Sequence, residues 1–352
     1  MTPKVMAFPI KPPVKPALAK LTREIPSGEG WLYEPKWDGF RAIVFRDGDK
    51  LRVDSRNQLP LLRYFPEMAD IAASFPARCV LDGEIVIPTD RGLDFDALQL
   101  RLHPAESRVK KLMLEIPAAF VPFDILHDGA RDLRAIACAE RRALLEQAIA
   151  PTDRCFVTPQ ITNETRAREW FERFEGAGLD GVIAKRADGV YAENKREWIK
   201  VKHDRTADCV VGGYRLSKTG DGVGSLLLGV YNEEGVFHFL GFTSSFKAAE
   251  RREMLALLEP LRTGEAPDGF RMPGESSRWS AGKDASWFPL EHRVVCEVAY
   301  DHLQGGWRFR HGTTFRRWRP DKDPTDCTFE QFEEPAPFAL ADIRRLSETG
   351  AR

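Results

Sequence analysis

The chain is poor in cysteine, and the cysteines it has stand apart. Cys79, Cys138, Cys155, Cys209, Cys296 and Cys327 are the only six in 352 residues, and no two form a CxxC pair. That spacing argues against a structural zinc site and a disulfide framework, and leaves free thiols in a reducing compartment as the plain reading. Long apolar runs are also lacking. No stretch approaches the ~18 consecutive apolar residues of a membrane span, so no membrane partner is expected. A signal-peptide core is missing too. Pro3, Pro9, Pro12, Pro13 and Pro16 break up the start of the chain, which reads as extended polypeptide on a domain surface. Nor does one charge sign dominate: 52 Lys and Arg against 53 Asp and Glu give −1, which excludes a uniformly basic nucleic-acid coat. Affinity for nucleic acid would have to come from uneven placement of the positive charge.

What is present is ordinary for a globular chain with a real core: 43 % hydrophobic and 30 % charged residues, at a length that suggests two domains. Asp47-Gly48 separates two alternating runs, 41–46 and 50–55, and predicts a hairpin. Strands are expected at 79–87, with a turn at Asp82-Gly83, and at 119–126, interrupted by Pro122. Helical spacing marks 137–149 and 166–176, and Gly176 and Gly178 end the second. Strands follow at 181–186 and 197–203.

After His203 the texture changes to short strands at 208–216, 223–231 and 235–243, a helix at 247–259, a Gly/Pro/Ser-rich loop at 263–289, and strands at 291–300 and 306–319. Five short strands with one helix suggest a small barrel of the OB type. The expected fold class is α+β, with a first domain at 1–204 carrying antiparallel sheets and flanking helices. An OB-fold β-barrel at 205–328 follows, and a tail at 329–352 with room for one amphipathic helix.

Several segments carry chemistry. In KWDG at 36–39, Lys36 could act as a nucleophile only when neutral, and nearby positive charge at Arg41, Lys200 and Lys202 would favour that form. Gly39 would let the backbone come close to a phosphate. Alone, KxDG fits a surface turn equally well. In WIKVK at 198–202, strand alternation puts Trp198, Lys200 and Lys202 on one face and Ile199 and Val201 on the other. Two lysines on one face suit a phosphate, or else a solvated edge strand. Glu84 sits in LDGEI among apolar neighbours and needs a ribose hydroxyl, a metal or a basic residue as partner; an exposed strand-end glutamate is the bland alternative. Phe123 in FDIL is either core or a stacking ring. From Arg308 to Lys322 there are six basic side chains, with Asp321 the single acid against them.

Read in order, EPKWDGFR (34–41), SRNQ (55–58), LDGEI (81–85), FDIL (123–126), DGVIAK (180–185), WIKVK (198–202) and FRRWRPDK (315–322) resemble the motifs of covalent nucleotidyltransferases, and specifically of ATP-dependent DNA ligases. The resemblance covers almost the whole chain and is strongest to small bacterial repair ligases. It implies that Lys36 attacks the α-phosphate of ATP to give a lysyl-AMP intermediate, that AMP passes to the 5′-phosphate of a nick, and that the 3′-hydroxyl then seals the strand. It also implies roles for individual residues. Lys200 and Lys202 contact the α-phosphate, Phe123 stacks on adenine with Val182 on its other face, and Glu34 reads the base. Lys185 belongs to the same nucleotide site. Arg41 and Arg56 contact the nucleotide and the nick phosphate. Arg317, Arg319 and Lys322 orient the leaving pyrophosphate. Glu84 and Asp180 place Mg²⁺ or Mn²⁺; Asp180 stands where such ligases usually carry Glu, so its direct coordination is less secure.

The implied partner is nicked double-stranded DNA, with repair or end-joining proteins, for a monomer in the bacterial cytosol. A hinge at 204–206 would let the barrel serve both ATP and DNA. An RNA ligase, a capping-type nucleotidyltransferase and a non-catalytic OB-fold nucleic-acid-binding protein remain as alternatives. The cysteine spacing speaks against an NAD-dependent ligase.

Overall fold

The computed structural model describes residues 8, 10–90, 92–264, 286–305, 307–332 and 342–343. They form two units, divided between Lys202 and His203, with Asp342 and Ile343 belonging to the first. The loop expected at 263–289 and the tail helix lie largely outside the described residues. Among the described residues no helix is long and apolar enough to cross a membrane.

The first unit runs β1 (Leu18–Thr22), β2 (Trp31–Pro35), β3 (Phe40–Asp47), β4 (Lys50–Ser55), α1 (Met68–Ile71), β5 (Arg78–Val86), the small pair β6 (Pro88–Thr89) and β7 (Gly92–Leu93), α2 (Phe95–Leu100), α3 (Glu106–Glu115), β8 (Ala119–His127), α4 (Cys138–Ala148), α5 (Glu164–Arg173), β9 (Val182–Arg186) and β10 (Arg196–Val201). Two four-stranded sheets result, ordered β1-β10-β9-β2 and β4-β3-β5-β8. The second is antiparallel throughout, and the hairpin over Asp47-Gly48 closes with Asp47 opposite Lys50. Gly48 sits at φ +63°, as the tight turn requires.

Alternation along β5 decides what faces what. Leu81 and Ile85 point into a core with Phe65, Phe120 and Leu145. Val80 points the other way, into a core with Ile43, Phe45, Leu126, Tyr191 and Trp198, so strands of both sheets contribute to it. Asp82 and Glu84 share the Val80 face by the two-residue period. The turn expected at Asp82-Gly83 is absent: β5 runs unbroken. Its partner β8 bulges instead, with Asp82 opposite Asp124 and Gly83 opposite Pro122. Phe123 is the extra residue, with no partner across the ladder. Pro122, which has no N–H to donate, is tolerated because β8 is an edge strand.

The second unit holds β11 (Arg205–Leu216), β12 (Val223–Tyr231), β13 (Phe237–Thr243), α6 (Ala248–Leu258), β14 (Phe288–Pro289), β15 (Val295–Tyr300), β16 (Leu303–Gln304), β17 (Arg308–Phe309) and β18 (Thr314–Trp318). Its main sheet is ordered β13-β12-β11-β15-β18, with β14 also on β11. The single strand expected at 306–319 is broken. Residues 310–313 leave the ladder, and Thr313 makes an isolated bridge to Thr243 at the end of β13. All six cysteines are buried and unpaired.

Candidate active site

Lys36 follows β2 in a loop fastened from several sides. Its N–H donates to Gly181 O at 2.8 Å, and its carbonyl accepts from the Asp180 N–H at 2.9 Å. Gly181 has φ +102°, and a Cβ there would stand 2.0 Å from Val201 O. Gly39 is equally confined, since a Cβ would stand 2.2 Å from Ile85 O. Close approach to β5 is by itself enough to require glycine at this position. The Trp37 indole donates to Thr158 Oγ1 at 2.8 Å and meets Phe156 edge-on. The nucleophile candidate therefore stands on a rigid loop.

Its ammonium meets Asp180 Oδ2 at 2.6 Å, and Lys202 Nζ meets the same oxygen at 2.7 Å. Lys200 shares this neighbourhood. Burial, and then the charges of Lys202, Lys36 and Arg56, hold its pKa below the ordinary lysine value, with Asp180 opposing them. Five sequence-predicted residues, Lys36, Arg56, Asp180, Lys200 and Lys202, thus form one cluster with four positive charges and one negative. Such an excess favours an arriving polyphosphate.

Glu84 lies opposite Arg41 on β3. It has no hydrogen bond or ion pair among the described residues. Burial pushes its pKa up to about 8; Arg41 and Lys36 pull the other way, and Asp38 and Asp82 add to the rise. A carboxylate left in that state fits a cation or a ribose hydroxyl. Asp180 fits a metal less well, because its Oδ2 is already held by two ammonium groups. Among the described residues no three His, Cys, Asp or Glu side chains form a ready-made metal site, so any Mg²⁺ would take most of its ligands from phosphates and water.

Arg41 is bidentate on Asp82, Nε to Oδ1 at 2.8 Å and Nη2 to Oδ2 at 2.5 Å. Tyr191 donates its hydroxyl to the same Oδ2 at 2.6 Å and accepts from the Ala17 N–H at 3.1 Å. The lead segment, expected to lie on a domain surface, is thereby bonded into the site's support, with Ile10, Val14 and Ala17 buried. The Arg41 guanidinium also lies 5.0 Å from the Phe123 ring and 4.9 Å from Trp198.

Lys185 is 1 % exposed. Its Nζ meets Glu34 Oε2 at 2.7 Å, donates to Phe123 O at 3.1 Å, and lies 4.4 Å from the Trp198 ring centre. Gln160 Nε2 donates to the other oxygen of Glu34 at 2.7 Å. Val182 is buried in the core beside Tyr33 and Val201.

The C-terminal basic residues lie in the second unit. Arg316 pairs with Asp204 at 2.5 Å and Arg317 with Glu297 at 2.6 Å. Arg319 grips Asp208 through Nη1 at 2.8 and 2.9 Å and Asp321 through Nε and Nη2. Lys322 has no ion pair among the described residues. The same unit has a cavity of about 430 Å³ between Arg215, Phe239, Phe242, Arg308 and His311. Arg215 Nε is buried without a hydrogen-bond partner, and burial holds the pKa of Arg308 below the ordinary value with no acid opposing it.

Comparison with known proteins decides the family. Residues 13–202 match the family described as ATP dependent DNA ligase domain, and residues 219–322 match the ATP dependent DNA ligase C terminal region. The chain belongs to the ATP-dependent DNA ligases. This ligase is 48 % identical to DNA ligase C1 of Mycolicibacterium smegmatis over 96 % of its own chain and 99 % of that one. It is 50 % identical to DNA ligase C of Mycobacterium tuberculosis, again over 96 % and 99 % of the two chains. A solved Lig E DNA ligase shares the fold at 19 % identity, with a TM-score of 0.56 over 86 % of this chain and 99 % of that one.

Four residues that support this ligase's site, Asp82, Thr158, Gln160 and Tyr191, have no site role in the sequence reading, and only Asp82 lies within a motif. Asp82 is legible in principle, since alternation puts it on the face of Glu84. Thr158, Gln160 and Tyr191 are not, because each lies in a loop without periodicity.

Proposed function

We propose that this ligase seals 5′-phosphate/3′-hydroxyl nicks in DNA through a lysyl-AMP intermediate on Lys36. The observation that carries the proposal is the Lys36 cluster: a side chain on a loop fastened to Asp180 and Gly181, sharing the single acid Asp180 with Lys202, beside Lys200, which in turn feels the charge of Arg56. The Lys36 amine forms a bond to the α-phosphorus of ATP while the bond to pyrophosphate breaks, and the amine gives up its proton. The three cationic neighbours stabilise the charge on the phosphoryl oxygens, the larger part of catalysis in such transfers. Asp180 holds Lys36 in place until the nucleotide arrives. Glu84 would hold Mg²⁺ or the ribose; bound Mg²⁺ neutralises phosphate charge. AMP then moves to the 5′-phosphate, and the 3′-hydroxyl displaces it.

In this reading residues 1–204 are the adenylation domain and 205–328 an OB-type domain. The Thr243–Thr313 bridge, which ties a segment beside β18 to the end of β13, supports the OB reading. Arg317, Arg319 and Lys322 would orient the pyrophosphate, and the arginine-lined cavity would meet DNA phosphates. Serving both steps requires movement between the domains, with a hinge at 204–206. The names of the mycobacterial relatives, DNA ligase C1 and DNA ligase C, support DNA as substrate.

Incubation with α-³²P-ATP tests the core of the proposal. The wild type should carry label on Lys36 and Lys36→Ala should carry none; a labelled Lys36→Ala protein overturns the assignment. Sealing of nicked DNA, nicked DNA with a 3′-ribonucleotide, and nicked RNA then ranks the substrates.

A further inference from the structure

The buried contacts of Lys185 point to a role other than touching phosphate. We infer that Lys185 is a positioning residue that makes this ligase choose adenine over guanine, by holding Glu34 as a pure hydrogen-bond acceptor and fixing Phe123 beside it. The inference rests on the ligase reading above, in which Glu34 and Phe123 meet the base.

Three contacts carry it. The Lys185 ammonium is 2.7 Å from Glu34 Oε2, and that carboxylate has Gln160 on its other oxygen at 2.7 Å. The same ammonium donates to Phe123 O at 3.1 Å and lies 4.9 Å from the Phe123 ring centre. Glu34 is 2 % exposed and Lys185 1 %, so neither exchanges its partner for water at low cost. Phe123 needs an outside fastening because it is the bulged residue of β8, and its carbonyl takes the lysine.

The chemistry of choice follows. A carboxylate paired to an ammonium offers acceptors only. Adenine presents an exocyclic N6–H₂ donor where guanine presents the O6 acceptor. Glu34 in this state accepts from adenine and repels guanine. Without Lys185 the Glu34 carboxylate and the Phe123 carbonyl lose the group that holds both, the acceptor is no longer fixed against the base edge, and the discrimination weakens.

The test measures kcat/KM for formation of the labelled enzyme with α-³²P-ATP and with α-³²P-GTP. Lys185→Met should lower the ATP-to-GTP ratio by at least about tenfold, and Lys185→Arg should restore most of it. Lys185→Gln, which removes the positive charge but keeps a hydrogen-bonding side chain beside Glu34, should lower the ratio by at least about threefold, and serves as the test if Lys185→Met does not fold. A merely structural role would reduce labelling by both nucleotides equally. An unchanged ratio in a folded Lys185→Met protein overturns the inference, as does an unchanged ratio in Lys185→Gln where that variant stands in. Failure of the ligase reading is a different outcome: wild-type protein that takes no label from either nucleotide.

Discussion

The two units handle charge in opposite ways. In the first, charged groups at the site are mostly buried and locked: Arg41 on Asp82, Lys185 on Glu34, Lys36 and Lys202 on Asp180. In the second, Arg317 is 64 % exposed, and Arg215 and Arg308 line an open cavity without an acid partner among the described residues. Buried pairs fix geometry to a fraction of an ångström, which a phosphoryl transfer needs. Exposed arginines are adjustable and screened by salt, which suits a polyanion met in many registers. The contrast teaches that locked and adjustable charge are kept in separate units of this ligase.

Mutations can break that separation. Arg41→Ala leaves Asp82, 0 % exposed, without its cation, and should cost about 3–5 kcal/mol, read as a lower midpoint in urea. Tyr191→Phe removes one bond to the same carboxylate and should cost about 1–3 kcal/mol. A smaller loss than Arg317→Ala for either would contradict the comparison. Glu84→Gln tests the exception in the first unit, the acid with no partner among the described residues. Glu84 has its pKa raised from 4.5 to about 8. Between those values the folded protein holds a proton that the unfolded chain has released, so stability falls as pH rises through the window. Glutamine removes that loss. Thermal unfolding should show Glu84→Gln more stable than wild type at pH 8.5, by about 1–2 kcal/mol, with no difference at pH 4.

In the second unit, Arg317→Ala should change stability by less than about 0.5 kcal/mol while slowing self-adenylation at least tenfold, about 1.4 kcal/mol in the barrier. Replacing Arg215 and Arg308 together with Gln should flatten the salt dependence of nicked-DNA binding, lowering the log–log slope by about 2. Label uptake from ATP should stay unchanged in that variant. A lost label would place the cavity in the nucleotide step instead.

Much of the fold is legible in the order of the amino acids. The hairpin over Asp47-Gly48, the two-faced strand ending in Lys200 and Lys202, and the helix at Cys138–Ala148 depend on neighbours two to four residues away. Periods that short are visible along a linear chain. The break between Phe309 and Thr314 is not legible, because the chain leaves its ladder there to bridge Thr243, a residue far back in sequence.

The sequence by itself determined the family, through seven motifs in order, and it singled out Lys36, Lys200, Lys202, Glu84 and the basic arm as the candidates for the chemistry. Only the tertiary structure decided what those residues do to one another. Lys36 and Asp180 are 144 positions apart, Gln160 and Glu34 126, Tyr191 and Asp82 109. The pairings span residues brought together by packing around shared cores, to which strands of both sheets contribute. Contacts of that range arise from packing, and no local pattern encodes them.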